Sequence, residues 1–225
     1  MDTKTKALNL YIILSGIFIA SLVTCNLIAN KFVSIDLGFK TFIVSAGILP
    51  YPITFLITDI LSEIYGRKMT NRVVLSGFFA SIIVLFFLWL GSQPSALATS
   101  PVSYNTYDTV FRNAWRVMAA SMTAYLSAQF LDVRLFHFWK KLTNGKHLWL
   151  RNNASTVGSQ LVDTILVVSV LFVGVWSTGD IFRAIIDGWL FKILCAFIDT
   201  PIFYFLSWRL KKEFNLKQNE EVNLV

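Results

Sequence analysis

Two carboxylates stand inside an apolar stretch of this sequence, where a charge needs compensation. Asp59 and Glu63 lie four residues apart in the run from Ser45 to Lys68, so a helix places them on one face. A charge at the centre of a membrane helix costs roughly 2.5–3.5 kcal/mol on insertion scales. The pair therefore indicates a polar ligand site, with a structural kink and an ion pair between Asp59 and a basic neighbour as the alternative.

A second set of polar side chains follows helical spacing further along the chain. Its members are Asn152, Thr156, Ser159, Gln160 and Asp163. They make one face polar for about three turns, and such a stripe belongs against a partner helix or a hydrated cavity rather than against lipid. Ser and Thr alone are usual at helix–helix contacts, so Gln160 and Asp163 favour the cavity.

A third pair, Lys192 and Asp199, is seven residues apart and falls on one helix face. It belongs either to the same polar site or to an internal salt bridge. By predicted depth, the acids Asp59, Asp163 and Asp199 fall in the cytoplasmic half of the membrane, and Asn26, Arg116 and Lys192 fall nearer the outside. We therefore predict that these acids and bases do not all neutralise one another directly, and that a polar ligand or a hydrated path lies between them.

Membrane helices are the elements that must position these residues. The chain of 225 residues is 55% hydrophobic and 15% charged, with a mean hydropathy of +0.60, whereas a soluble domain is about 25% charged. We predict an all-α fold: a polytopic membrane protein whose residues 1–225 form one domain, a bundle of six transmembrane helices. The predicted spans are approximately residues 8–29, 43–64, 72–91, 112–131, 156–177 and 184–208.

The distribution of charge predicts the orientation of these spans. Most of the twenty basic residues lie in alternate gaps between apolar runs, and by the positive-inside rule both termini are then cytoplasmic. The net charge of +7 follows from this distribution, so nucleic acid is not a predicted partner. Cys25 and Cys195 fall in apolar runs and are interpreted as small hydrophobes rather than a disulfide.

Three further expectations concern irregular segments. Pro52 should break the second span and leave carbonyls near Ile48 unpaired. The Ser-, Pro- and Thr-rich segment 92–107 is predicted to be an external loop. The polar tail from Lys211 is predicted to fray.

Catalytic motifs are missing from the sequence. It contains no HExxH, GxSxG or P-loop pattern, and His137 and His147 have no metal-ligand partner at useful spacing. We predict no enzyme activity, catalytic residue, metal or cofactor. An intramembrane hydrolase, with Asp59 and Asp163 as an aspartyl dyad, is the least favoured alternative.

Several blocks in order along the chain carry a family resemblance. They are Asn26, Asn30 and Lys31; LPYPITF at residues 49–55 with Thr58, Asp59 and EIYGR at 63–67; AYL at 124–126 with Gln129 and Asp132; LWLRNN at 148–153 with Ser155, Thr156, Ser159, Gln160, Asp163 and Thr164; and Lys192 with DTP at 199–201 and Tyr204. Together they resemble the queuosine precursor transporter family, which has also been described as a family of vitamin uptake transporters.

The resemblance implies import of a 7-deazaguanine base for tRNA modification: 7-cyano-7-deazaguanine, its 7-aminomethyl form or queuine. It also implies a multi-pass protein of the bacterial inner membrane, similar in architecture to the substrate-binding subunits of energy-coupling-factor vitamin transporters. Members of the family are thought to work without the ATPase module that those subunits need. A vitamin-binding subunit that docks on such a module is therefore the alternative function.

The chemistry of a guanine-like base suggests roles for the candidate residues. One carboxylate can accept from N1–H and the 2-amino group together, and Asp163 is preferred over Asp59 and Glu63 because it lies deeper. Gln160 or Asn26 suits O6, and Tyr51 or Phe55 could stack on the ring. The predicted substrate-binding set is Asn26, Asn30, Tyr51, Phe55, Asp59, Glu63, Arg116, Gln160, Asp163, Lys192 and Asp199.

Energy coupling and partners follow from the same interpretation. If transport is coupled to protons, Asp59 or Glu63 is the predicted titrating group. Facilitated diffusion, in which the imported base is trapped by insertion into tRNA, is equally compatible with the sequence. The predicted partners are a small deazapurine substrate and the lipid bilayer, and a homodimer is left open.

Overall fold

Long α-helices make up most of the protein. The computed structural model describes residues 3–29, 31–38, 40–112, 115–174, 176–217 and 220–224, and within them the side chains at 32, 112, 115–121 and 171 fall outside the description. The helices found there are α1 (Thr3–Ile28), α2 (Tyr51–Ile64), α3 (Gly66–Gly91), the single turn α4 (Tyr104–Tyr107), α5 (Trp115–Leu142), α6 (Leu148–Phe172) and α7 (Thr178–Glu213). The prediction of an all-α membrane protein is confirmed.

Three segments in the described part of the chain are long and apolar enough to cross a membrane. They are Thr3–Ile28, Ala46–Ile64 and Gly66–Gly91, and they correspond to the first three predicted spans. A helix of 26 residues, the length of α1 and α3, reaches about 39 Å. Helices α5, α6 and α7 are 28, 25 and 36 residues long, but polar residues interrupt their apolar runs, so the other three spans stay predictions.

A small antiparallel hairpin replaces the start of the second predicted span. Strand β1 (Phe32–Asp36) pairs with β2 (Thr41–Ser45), and the side chains of β2 alternate between exposed and buried. The buried Phe42 packs edge-on against Phe191 of α7, with ring centroids 5.5 Å apart. The prediction of a helix from Ile43 is therefore wrong, because hydropathy does not separate a buried strand from the end of a membrane span.

Pro50 and Pro52 begin a helix and do not break one. A 3-10 turn, Ala46–Ile48, follows β2, and α2 starts at Tyr51 with Pro52 in its first turn. The missing N–H of a proline has no helical partner to lose at this position. The expected kink at Pro52 is therefore wrong.

The later helices differ from the predicted spans mainly at their ends. Helix α6 runs from Leu148 to Phe172, and α7 begins at Thr178 after Ser177, whose hydroxyl accepts from the Asp180 N–H at 3.2 Å. Helix α5 continues to Leu142. Residues 94–103, within the predicted external loop, contain no helix or strand.

Helix α2 lies at the centre of the packing, in contact with α1, α3, α5 and α7. Every residue from Ile57 to Ile64 is buried. Helix α3 instead exposes large apolar side chains, including Phe79, Phe87 and Trp89, as expected for a surface that faces lipid. The polar residues of α2 therefore point toward other helices.

The carboxyl-terminal tail is docked, so the expected fraying is wrong for residues 220–224. The Val222 N–H donates to the Ile64 carbonyl at 2.7 Å, and Val222 and Leu224 pack against the core. Gly66 has a φ of +77° at the corner between α2 and α3, and a Cβ there would collide with the Glu221 carboxylate. The left-handed backbone favours glycine, and any Cβ at this position would displace the Glu221 carboxylate.

Candidate functional site

Buried polar side chains from four helices face one another in the interior. They are Thr58, Asp59 and Glu63 on α2; Gln129 and Asp132 on α5; Arg151, Asn152, Ser155, Thr156, Ser159, Gln160 and Asp163 on α6; and Ser207 on α7. The stripe predicted on α6 packs against α5 and α7, which removes it from lipid as the cost of exposed polar groups requires.

A cavity of about 540 Å³ lies between α1, the hairpin, α6 and α7; we call it the large cavity. Its size falls within the range of small-molecule binding sites, about 300–1,000 Å³. Polar groups from three helices line it: Asn26 from α1, Asp163 from α6, and Asp187 and Lys192 from α7. Tyr51 contributes from the start of α2.

An ion pair closes one wall of this cavity. Lys192 Nζ donates to Asp163 Oδ2 at 2.6 Å, and the Tyr51 hydroxyl donates to the same oxygen at 2.7 Å. The Lys192 ammonium also lies 4.5 Å from the centroid of the Tyr51 ring, within cation–π range. The other carboxylate oxygen of Asp163 is buried without a hydrogen-bond donor in the described part of the chain.

This contact corrects two expectations. Asp163 and Lys192 neutralise each other directly, so the predicted separation of acids and bases into different layers is wrong for this pair. Lys192 also pairs with Asp163 and not with Asp199, so the internal salt bridge within one helix is wrong. The apolar core of the fifth span was predicted from residue 156, and α6 begins at Leu148, so the polar residues from Asn152 onward lie on this helix as expected.

A second, small cavity of about 20 Å³ lies between α2, α6 and α7, and this volume holds about one water molecule. The groups around it include Phe55, Asp59, Asn152, Thr156, Gln160 and Asp199. Tyr51 and Lys192 line both cavities and stand between them. Both amide atoms of Gln160, Oδ1 of Asp59 and Oδ1 of Asn152 are buried without a partner among the described residues.

Two carboxyl groups meet behind the small cavity. Asp59 on α2 and Asp132 on α5 are both buried and interact with each other beside the hydrogen bond that joins Thr58 to Gln129. Asp132 Oδ1 accepts from the Ser159 hydroxyl at 2.9 Å, and Gln129 Nε2 donates to Thr58 Oγ1 at 2.6 Å. Asp132 and Gln129 were not among the predicted site residues, although their spacing of three residues on an apolar helix is the kind of signal that identified Asp59 and Glu63.

Glu63 belongs to a separate ionic cluster. Arg151 donates to its two oxygens at 2.7 and 3.3 Å, Lys140 Nζ lies 3.8 Å away and Lys211 also pairs with it. Only 1% of the Glu63 surface is exposed, and it lines neither cavity. Glu63 therefore lies one helical turn from Asp59 but outside the two cavities that Asp59, Gln160 and Asp163 line.

The remaining candidates divide into described and undescribed positions. Asn26 donates to the Leu22 carbonyl at 3.1 Å and lines the large cavity. The ring centroids of Phe55 and Tyr125 lie 5.3 and 5.4 Å from the ring centroid of Tyr51. Tyr125 also lines the large cavity, and the sequence interpretation missed it. Asn30 lies outside the described residues. Arg116 is on α5, with its side chain outside the description.

A helical membrane protein with a polar interior and a cavity of ligand size has the architecture of a transporter. The family model described as "Putative vitamin uptake transporter" matches residues 45–206. The chain belongs to this family, which is the queuosine precursor transporter family that the sequence motifs resemble.

Curated relatives are named as queuosine precursor transporters. The chain is 31% identical over 159 residues to the "Probable queuosine precursor transporter" of Bacillus subtilis (strain 168), covering 70% of this chain and 69% of the relative. It is 25% identical over 182 residues to the "Queuosine precursor transporter" of Escherichia coli (strain K12), covering 76% and 75%. No solved structure gives a significant match.

Proposed function

We propose that this protein imports a queuosine precursor, a 7-deazaguanine base, across the bacterial inner membrane. The large cavity with Asp163, Tyr51 and Lys192 in its wall carries the proposal, and the names of the relatives supply the substrate class. The protein is a multi-pass transporter of one domain with no enzyme activity.

Six spans with both termini in the cytoplasm are part of this proposal. The ends of α2, α5, α6 and α7 meet at the Glu63 cluster. Near the start of α1, the Tyr65 hydroxyl donates to the Ala7 carbonyl at 2.8 Å. Lys6 Nζ lies 3.9 Å from Glu213 Oε1, near the end of α7. These contacts support alternating helices whose basic ends gather on one side, and the positive-inside rule makes that side cytoplasmic.

The substrate is held at the boundary between the two cavities. Asp163 Oδ2 is occupied by Lys192 and Tyr51, so Oδ1 accepts a hydrogen bond from the N1–H and 2-amino edge of the base. The amide of Gln160, whose nitrogen and oxygen both lack partners among the described residues, donates to O6. Tyr51 and Phe55 supply aromatic surface for the flat ring.

The test is complementation of a bacterial strain that cannot synthesise the precursors, with queuosine in tRNA as the readout and each deazaguanine base supplied separately. Wild-type protein should restore queuosine, and Asp163→Asn should not. The matched control is Asp36→Asn, at an exposed hairpin position whose carboxylate accepts from the Gly38 N–H. Normal queuosine in Asp163→Asn, with both variants present in the membrane at equal amounts, would contradict the site.

The two alternatives make different predictions in the same preparation. A vitamin-binding subunit would copurify with an ATPase and lose uptake without it. A hydrolase would convert a substrate when purified alone. Either result would replace the proposal of an autonomous transporter.

A further inference from the structure

We propose that Asp59 and Asp132 form a proton-binding pair that couples substrate import to proton movement; this inference rests on the proposed transport function. It assigns the proton site to two residues on different helices, one of which lines the small cavity. Glu63, the other residue considered for this role from the sequence, is already neutralised by Arg151, Lys140 and Lys211.

The contact between the two carboxyl groups itself requires a proton. Ionised carboxylates are acceptors only, so two of them cannot form a hydrogen bond with each other. Asp59 is 2% exposed and Asp132 is 0% exposed, and like charges in such a position repel strongly because no water screens them. A proton between Asp59 and Asp132 converts this repulsion into a hydrogen bond.

In the described part of the chain, no cation is placed to balance the pair. The titratable groups that interact with the pair are Glu63 from α2, Tyr125 from α5 and Asp199 from α7. Lys192 from α7 lines the same small cavity as Asp59. Lys192 is engaged with Asp163. Among the described residues, no Lys or Arg side chain lies within ion-pair distance of Asp59 or Asp132.

The two acids differ in their access to the cavities. Asp132 is held by the Ser159 hydroxyl at 2.9 Å on one oxygen, and its other oxygen, like Oδ1 of Asp59, lacks a donor in the described part of the chain. Asp59 lines the small cavity, whereas Asp132 lines neither cavity. Asp59 is therefore the member that exchanges its proton with the cavity, and Asp132 is the member that holds it.

Release of the proton links this chemistry to movement of the helices. The proton leaves to water in the cavity, and two negative charges then face each other across the contact between α2 and α5. Separating the helices relieves the repulsion, and rebinding a proton restores the contact. The Gln129–Thr58 hydrogen bond joins the same two helices beside the pair. This hydrogen bond must break when the helices separate.

The first test uses the purified full-length protein in lipid vesicles with 7-cyano-7-deazaguanine as the probe. Wild type should accumulate the probe when the outside is more acidic than the inside. Asp132→Asn and Asp59→Asn should lose this accumulation, and Asp132→Asn should retain exchange of labelled for unlabelled probe at equal pH. Asp36→Asn should behave as wild type. If accumulation by wild type does not depend on the pH gradient, or depends on a sodium gradient instead, the proposal that Asp59 and Asp132 couple transport to protons is contradicted.

The second test does not depend on transport and separates failure of the two proposals. The infrared spectrum of detergent-purified wild type should contain a protonated carboxyl band that Asp59→Asn and Asp132→Asn each remove and Asp199→Asn retains. Absence of such a band, in protein whose circular dichroism matches that of the variants, would overturn the pair. If wild type shows the protonated carboxyl band but does not exchange the probe, the proton-binding pair is supported and the proposed substrate is contradicted.

Discussion

Lys192 of α7 donates to Asp163 of α6 at 2.6 Å, in the wall that separates the two cavities. Tyr51 of α2 donates to the same carboxylate oxygen, so one atom joins three helices at the site proposed for the substrate. A base that binds Asp163 must share this carboxylate with Lys192 and Tyr51. Substrate binding and helix packing are therefore linked at a single residue.

Removing the cation of this pair should destabilise the protein. Lys192→Gln leaves the Asp163 carboxylate buried with one fewer donor, and breaking a buried ion pair by removing one partner costs about 3–5 kcal/mol. The double variant Lys192→Gln/Asp163→Asn should recover part of this loss because no charge stays unpaired. Thermal unfolding in detergent measures both. A double variant less stable than the single one would contradict a net attraction between the two residues.

Loss of the Tyr51 hydroxyl should weaken substrate binding while the ring remains. The hydroxyl holds the Asp163 carboxylate through a hydrogen bond to a charged group, which contributes about 1.5–3 kcal/mol. Tyr51→Phe should therefore leave Asp163 less well positioned and raise the KM for uptake, with the amount of protein in the membrane unchanged. Tyr107→Phe is the matched control, since that hydroxyl donates to the Leu88 carbonyl at 3.1 Å away from both cavities. Equal KM values for the two variants would argue against Tyr51 as part of the site.

The Glu63 cluster should contribute far more stability than a surface pair. Glu63→Gln leaves Arg151, Lys140 and Lys211 without their shared carboxylate in a buried place, and the expected loss is about 3–5 kcal/mol. Glu213→Gln removes the exposed pair with Lys6 and should change stability by about 0–1 kcal/mol. Chemical denaturation of both variants gives the comparison, and similar losses would mean that Glu63 is better hydrated than its burial indicates.

Gly66 provides a test of tail docking. Gly66→Ala and Gly174→Ala both place a side chain at positive φ. Only the first meets the Glu221 carboxylate, since no described atom lies within 4 Å of a Cβ at Gly174. Gly66→Ala should therefore lower the melting temperature more. Deleting residues 220–225 should abolish the difference between the two substitutions. A difference that survives the deletion would place its origin outside the tail.

The sequence predicts the helices better than it predicts their contacts. Apolar runs and charge placement locate α1 and α3, and motif residues such as Tyr51, Gln160 and Lys192 do line the cavities. Hydropathy does not reveal the strand at Thr41–Ser45, because its apolar residues Phe42, Ile43 and Val44 raise the average as much as the apolar residues of a helix do. The pairing of Lys192 with Asp163 depends on how far α6 and α7 slide along each other, which no single-helix pattern encodes.

Asp132 shows a different limit. Its spacing from Gln129 resembles that of Asp59 and Glu63, but its helix is diluted by polar residues, so the carboxylate attracts less notice in the sequence. Asp132 belongs to a block that resembles the family, but its role follows only from the contact with Asp59. The partners of Glu63 were hidden for a similar reason, because Lys140 and Arg151 sit in a basic segment that the positive-inside rule already explains.

The order of synthesis gives the Glu63 cluster a further consequence. Lys211 follows Glu63 by 148 residues, and the docked tail comes later still. A growing chain that has inserted α2 therefore carries Glu63 into the membrane before the ribosome has made Lys211 or Glu221. Residues made much later therefore complete the ionic cluster around one of the first helices, so a chain that stops before α7 should lack the Lys211 contact with Glu63 and be less stable.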